Sequence, residues 1–263
     1  MTPSISKHYQ EREPSSIRKA QILFNARKNS KNIHVVNLAI GNISLPMHPV
    51  MINRMKSLGS NKKSIFNKGI VEYSISTGTK DCQDAIIHSI NAELDNQISN
   101  EIKAIITDGG SQAMELMLLG VCGPSSEKPI LLIDPTYTNY IEFSKRLSIP
   151  ISRYSRHLKD DGSYRKINTD NILNIIDKDN PAGILLIPGD NPTGQQITQD
   201  KIMEIAKLCV EKDIWLISDE AYRNIYFTSE GATSIWAITN EMVPGIKGRR
   251  LSIESASKLW NAC

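Results

Sequence analysis

From residue 102 onward the chain is punctuated by short, almost wholly apolar runs: "IKAIIT" (102–107), "PILLID" (129–134), "AGILLIP" (182–188), "IWLISD" (214–219) and "RLSIES" (250–255). A strand covered on one face alternates apolar and polar positions, whereas a run apolar throughout fits a strand buried on both faces. Helical stretches follow several of these runs: "SQAMELMLLGVC" (111–122), "TNYIEFSKRL" (138–147) and "QDKIMEIAKLCVEK" (199–212). The alternation predicts an α/β fold, a mostly parallel sheet covered by helices on both faces. Upstream, "SSIRKAQILFNARK" offers a serine cap and an apolar stripe at Ile17, Ile22 and Leu23. "VVNLAIGN" (35–42) reads as a short strand ending in Gly41, "LPMHPVMINRMKSL" as a Pro-initiated helix and "TKDCQDAIIHSINAEL" as another helix.

Composition narrows the class. The hydrophobic fraction is 40% and the charged fraction 22%, values of an ordinary globular chain. The net charge of +3 is too balanced to indicate a nucleic-acid partner, and the basic cluster "KGRR" (247–250) reads as a solvated turn. Cys82, Cys122, Cys209 and Cys263 show no metal-like spacing; Cys122 and Cys209 lie in apolar helical runs and are expected as buried free thiols. The N-terminus is polar and no apolar run is long enough to span a bilayer, so the expectation is a cytoplasmic protein with no membrane partner.

In a parallel α/β sheet, ligands bind beyond the carboxyl ends of the strands. Here those ends read "TDGGSQ", "DPTYTNY", "PGDNPTG", "SDEAY" and "SASK". Gly109, Gly110 and Ser111 open a helix, where free N–H groups and the helix dipole favour an anion. There is neither Gly-x-Gly-x-x-Gly nor a Walker A pattern, which argues against a dinucleotide or a nucleoside triphosphate. Asp219 beside Glu220 has no histidine nearby in sequence, so no metal is expected. Taken one at a time, each of these ends is an ordinary cap, turn or surface lysine.

Together they resemble a known family. The motifs "NLAIGN", "EYSISTG", "DGGSQAM", "DPTYTNY", "GDNPTGQQI", "SDEAYRNIYF" and "SASKLWNAC" stand in the order found in class I/II aminotransferases, fold-type-I enzymes dependent on pyridoxal 5'-phosphate (PLP). Asn191 to Asp219 spans 28 positions and Asp219 to Lys258 spans 39, both ordinary for that family. The resemblance implies that Lys258 is the Schiff-base and proton-transfer residue, a role that needs an unprotonated amine. Asp219 would pair with the pyridinium nitrogen, while Asn191 and Tyr222 would bind the cofactor's 3-oxygen. Tyr137 would stack on the ring, and Gly109, Gly110, Ser111, Ser255 and Ser257 would hold the phosphate. Tyr73 matches a tyrosine that reaches the neighbouring subunit's phosphate, implying a homodimer. Gly41, together with Asn191, would lie against the substrate. The implied reaction moves an amino group between an amino acid and a 2-oxo acid, ping-pong through pyridoxamine phosphate.

By the same resemblance, residues 1–47 form an N-terminal arm and part of a small domain, and residues 48–263 form an incomplete PLP-binding large domain. The family continues past the lysine with a Gly-x-Arg, a further strand of the sheet and a C-terminal small domain. The sequence stops at Cys263, so the expectation is a chain cut just after its lysine, poorly stable alone and with little transaminase activity. Three other readings stay open. One is an inactive remnant or partner-binding fragment, and another a PLP-dependent lyase of the same fold. The third is a serine acyl-transfer enzyme built on Ser255-x-x-Lys258, against which stands the absence of the partner motifs that should follow it.

Overall fold

The computed structural model describes residues 3–38, 41, 45–60, 66, 68–94 and 102–262. The chain divides into two compact units, Met1–Leu45 and Pro46–Cys263. The first contains helices α1 (Lys7–Gln10) and α2 (Ser16–Asn25), the latter capped by Ser15, whose hydroxyl accepts from the Arg18 N–H. No residue of α2 is buried, and the expected strand at 35–42 does not form over residues 35–38; positions 39, 40 and 42 lie outside the described residues. An apolar run becomes a strand only where another strand completes its hydrogen bonds, and among the described residues none does so here.

The second unit begins with α3 (Pro49–Lys56) and α4 (Lys80–Glu93), started respectively by a proline in the first turn and by the Thr79 cap. The α/β body follows: α5 (Gly109–Val121), β1 (Ile130–Asp134), α6 (Thr138–Arg146), β2 (Ile151–Ser155), α7 (Thr169–Asp179), β3 (Gly183–Leu186), α8 (Gln199–Glu211), β4 (Trp215–Asp219), β5 (Arg250–Ile253) and α9 (Ala256–Leu259). The sheet order is β2-β1-β3-β4-β5 and every pairing is parallel.

The side-chain period of two explains why the central strands are apolar throughout. Leu131, Ile133, Ile184, Leu186 and Leu216 belong to one core, with Ile172 and Ile176 of α7 and Ile202, Ile205 and Cys209 of α8. Their sequence neighbours Ile130, Leu132, Leu185 and Ile217 belong to the other, with Met114, Met117 and Leu118 of α5 and Tyr140 of α6. Parallel pairing sends all five carboxyl ends to one side, which is where the chemistry-bearing loops lie.

Two parts of the body depart from the sequence expectation. "IKAIIT" does not join the sheet: among the described residues, Ile102–Thr107 has no strand partner, and its Ile106 N–H donates to Thr77 O at 3.0 Å. β5 is consequently the sheet's edge, and a cleft of about 800 Å³ opens between this segment, Ile86 and Ile90 of α4, and Leu251–Ser255. The run's apolarity did not bury it: none of its residues is fully buried and Ile105 is 64% exposed. "KGRR" is only partly a solvated turn, because Arg250 enters β5, lies over Trp236 and donates to the Ile235 and Ile238 carbonyls. Cys209 is fully buried and Cys122 half-buried at the end of α5.

Candidate active site

β4 delivers Asp219 to the carboxyl side of the sheet as its last residue, 5% exposed. One carboxylate oxygen accepts from the Tyr140 hydroxyl at 2.7 Å and the other from the Ala221 N–H at 3.2 Å. Burial raises the Asp219 pKa; the Tyr140 and Ala221 bonds pull against that, and Glu220 reinforces it. Tyr137 precedes α6 by one residue and meets Tyr140 edge-to-face, with centroids 6.2 Å apart. Burial raises the phenol pKa of Tyr137 and of Tyr222; Tyr222 and then Asp219 add to it at Tyr137, and Asp219 adds to it at Tyr222. Two half-buried tyrosines therefore feel the Asp219 carboxylate, Tyr137 from the loop after β1 and Tyr222 from the loop after β4 itself.

Asn191 reaches this group on the loop after β3. The loop closes on itself through Gly194 N–H to Asp190 O (2.8 Å), Asp190 N–H to Gln195 O (3.0 Å) and Ile197 N–H to Pro188 O (2.9 Å). It lies so close to Tyr222 that a Cβ at Gly189 would fall 3.0 Å from the Tyr222 Cβ. That approach, open to glycine at no steric cost, brings Asn191 near enough to Tyr222 to pull its phenol's pKa down against burial. Lys258 is half-buried on α9, with Nζ 5.8 Å from the Tyr222 ring centroid.

The second half of the site is the wall of the cleft. Gly109, at φ +72°, starts α5, and Asp108 makes no side-chain cap, so the first N–H groups of the helix depend on a partner from outside it. Gly110 stands against the end of β5, where an added Cβ would lie 3.9 Å from Ile253. Ser255 caps α9, its hydroxyl accepting from the Ser257 N–H at 3.2 Å. Gly109, Gly110, Ser255 and Ser257 thus line one cleft. A further glycine braces that wall: at φ +90°, Gly78 leaves space where a Cβ would sit 2.4 Å from Ile106, just ahead of α5.

Ser111 is exposed on the first turn of α5, and Tyr73 is fully exposed. Gly41 is exposed in the first unit, Met1–Leu45. Among the described residues no group of three or more His, Cys, Asp or Glu side chains could hold a metal ion, and no helix is long and apolar enough to cross a membrane.

Sequence reasoning missed Tyr140, which stood inside a quoted motif; its spacing of three from Tyr137 places it one helical turn on. It also missed a buried charge cluster. Arg223 donates to Glu93 (2.9 Å), Glu220 (2.8 Å) and Glu254 (2.7 Å), tying α4 to the ends of β4 and β5. Glu220 is further held by Ser218, Ser234 and the Ile235 N–H. Burial works against the Arg223 charge, yet Glu254 and Glu220 more than offset it and raise its pKa.

One arginine cannot balance three carboxylates. Burial first, and the Glu220 charge second, push the Glu254 carboxyl up to about 8 from its ordinary 4.5. The folded protein thus holds a proton that the unfolded chain has already released, so stability falls as pH rises from 4.5 to about 8 and levels off above. The 21% exposure of the Glu254 side chain keeps that slope shallower than a sealed carboxyl would give. Glu254→Gln is expected to flatten this part of the curve, as read by denaturant midpoints between pH 5 and 9. An unchanged slope in the variant would show that the proton sits elsewhere.

Comparison with known proteins agrees with the geometry. The family model "Aminotransferase class I and II" matches residues 33–262. An aspartate aminotransferase of Musicola paradisiaca is 25% identical over 204 residues, covering 75% of this chain and 46% of that protein. The structure of N-succinyldiaminopimelate aminotransferase from Mycobacterium tuberculosis superposes with a TM-score of 0.78 at 18% identity, over 98% of this chain and 61% of that one. A PLP-bound structure from Clostridium difficile 630 gives 0.68 at 17% identity, over 84% and 52% respectively. The chain therefore spans about half to three-fifths of the length of these relatives. With the family model running from the first unit through Lys258, the chain belongs to the class I and II aminotransferases, a family of PLP-dependent enzymes.

Proposed function

We propose that this chain carries the PLP-binding half-site of an aminotransferase moving an amino group between an amino acid and a 2-oxo acid, and that the protein acts as a cytoplasmic homodimer. The observation that carries the reading is the buried Asp219, held by the Tyr140 hydroxyl at the end of β4, with the Lys258 amine over the ring of Tyr222 on the next loop. The donor set fits the cofactor. Asp219 has acceptor capacity left after its two bonds, and the start of α5 has N–H groups without helical partners.

When bound, PLP supplies a carbonyl that condenses with amines and a ring that draws electrons from the neighbouring carbon. The chain's own residues would do the rest. The N–H groups of Gly110 and Ser111 and the hydroxyls of Ser255 and Ser257 bind the phosphate, aided by the dipole of α5. Asp219 holds the proton on the ring nitrogen. Asn191 and Tyr222 bind the 3-oxygen, and Tyr137 covers one ring face and excludes water. Lys258 moves the proton at the substrate's α carbon. By the family's motif order, Gly41 would lie against the substrate carboxylate and Tyr73 would reach the partner subunit's phosphate. Residues 1–47 would belong to the arm and small domain, and residues 48–263 to the large domain.

The test is a pH-titrated absorbance spectrum of the purified chain with PLP, followed by borohydride reduction and peptide mapping. One label on the Lys258 peptide, and spectral change on adding an amino acid, are the expected results. Label scattered over surface lysines would defeat the reading.

A further inference from the structure

We propose that Arg156 is a positioning residue that fixes the spacing between Tyr137 and Asn191; its bearing on the cofactor rests on the function proposed above. Arg156 follows the last residue of β2, an edge strand, yet it is 8% exposed and its guanidinium points inward. Its backbone N–H donates to Asp134 O at 3.0 Å and its Nε to the same carbonyl at 3.2 Å. Its Nη2 donates to Pro135 O at 3.1 Å and to the Asp190 carboxylate at 2.5 Å. Pro135 stands two residues before Tyr137, and Asp190 one residue before Asn191.

β1 lies between β2 and β3, so this side chain reaches across the carboxyl end of β1 to the loop of β3. The β1–β3 register runs from Ile130↔Gly183 to Leu132↔Leu185 and goes no further. Beyond it the two loops would be free to part, and the guanidinium takes over the tie where the ladder stops. The fork geometry suits this task, because one planar group offers several donors in fixed directions. The same Asp190 oxygen also accepts from the Thr193 hydroxyl, and the Arg156 guanidinium lies 5.7 Å from the Tyr164 ring centroid. A buried ion pair is a poor source of net stability, since desolvation offsets most of its attraction; fixing one arrangement among several is its better-attested use.

The experiment has two readouts. In the cofactor-free chain, amide hydrogen exchange of Arg156→Gln is expected to rise together in 135–138 and 189–195 while α8 and β4 keep their protection. Arg156→Lys should open both loops as well, because one ammonium cannot reproduce the fork. Asp190→Asn should open 189–195 alone, since Arg156 still holds Pro135; this variant also decides the matter if Arg156→Gln does not fold. With PLP, Arg156→Lys should weaken binding by about tenfold or more and move the pH midpoint of the cofactor's absorbance, as small misplacements of binding groups do. Exchange rising evenly over the whole sheet, or in one loop only for Arg156→Gln, would overturn the inference. So would an Arg156→Lys midpoint identical to wild type in a chain that binds PLP at Lys258. Paired loop opening in a chain that takes no PLP would instead sink the functional reading and leave the tie standing.

Discussion

Lys258→Ala, incubated with PLP and borohydride, is expected to carry no label on the peptide spanning position 258, and amino-group transfer by the protein should fall by about 10²–10⁴-fold or more. The reason is positional as much as chemical. Lys258 sits on a single helical turn fixed by Ser255 to Ser257 and by the Trp260 N–H to Ala256 O bond at 3.2 Å. Its amine stands over Tyr222, which packs closely against Gly189 on the Asn191 loop. Lys258→Arg separates two roles: it keeps a cation in place but has no amine to condense, so it too should remain unlabelled. Lys103 lines the cleft beside Gly109 and Gly110 and is the natural competitor. Label on Lys103 in the wild-type chain would sink the assignment of Lys258.

Asp219 should give the second large effect, and two substitutions divide it. Asp219→Ala deprives Tyr140, which is fully buried, of its acceptor; that orphaned hydroxyl should cost about 1–3 kcal/mol of stability. Asp219→Asn keeps an acceptor for Tyr140 and should lie near wild type in a denaturant titration. Both lose the charge that, on the proposed function, would face the ring nitrogen. Breaking a buried pair costs roughly 3–5 kcal/mol, so PLP affinity should fall by roughly 10²–10³-fold or more in either variant. Because burial raises the Asp219 pKa, PLP uptake by the wild-type chain should weaken as pH falls into that raised range and the carboxyl becomes neutral. An Asp219→Asn chain that binds PLP as the wild type does would show that the carboxylate is not the ring's partner.

What the sequence disclosed, and what it hid, follows from how each feature is encoded. β1, β3 and β4 were legible because burial on both faces leaves no polar position to confuse the pattern. β2 was not, since "ISRYS" is half-exposed at the edge and reads like a loop with two apolar residues. The helix α7 hides similarly behind "TDNILNIIDKD", more polar than apolar. "IKAIIT" was over-read: apolarity reports the wish for burial, whereas a strand also needs a partner's backbone. At the site, motif residues such as Asp219, Tyr222 and Lys258 were named because they stand at strand ends in a recognisable order. Arg156 and Arg223 were not, because the ties that give them meaning, to Asp190 and to Glu93, span 34 and 130 positions, and no local pattern records such a pairing.

The order of the sheet has a consequence for birth on the ribosome. A chain is made from its N-terminus at about 5–20 residues per second, and a domain can begin to fold while it emerges. β1, β2, β3 and β4 all belong to the interior or the far edge, so most of both cores can close before β5 appears. β5 then zips onto β4, and only this late pairing brings Ser255, Ser257 and Lys258 to the waiting carboxylate. Until that pairing forms, Lys258 is held away from the Asp219 carboxylate, so any chemistry that needs the two together must wait for β5 to close.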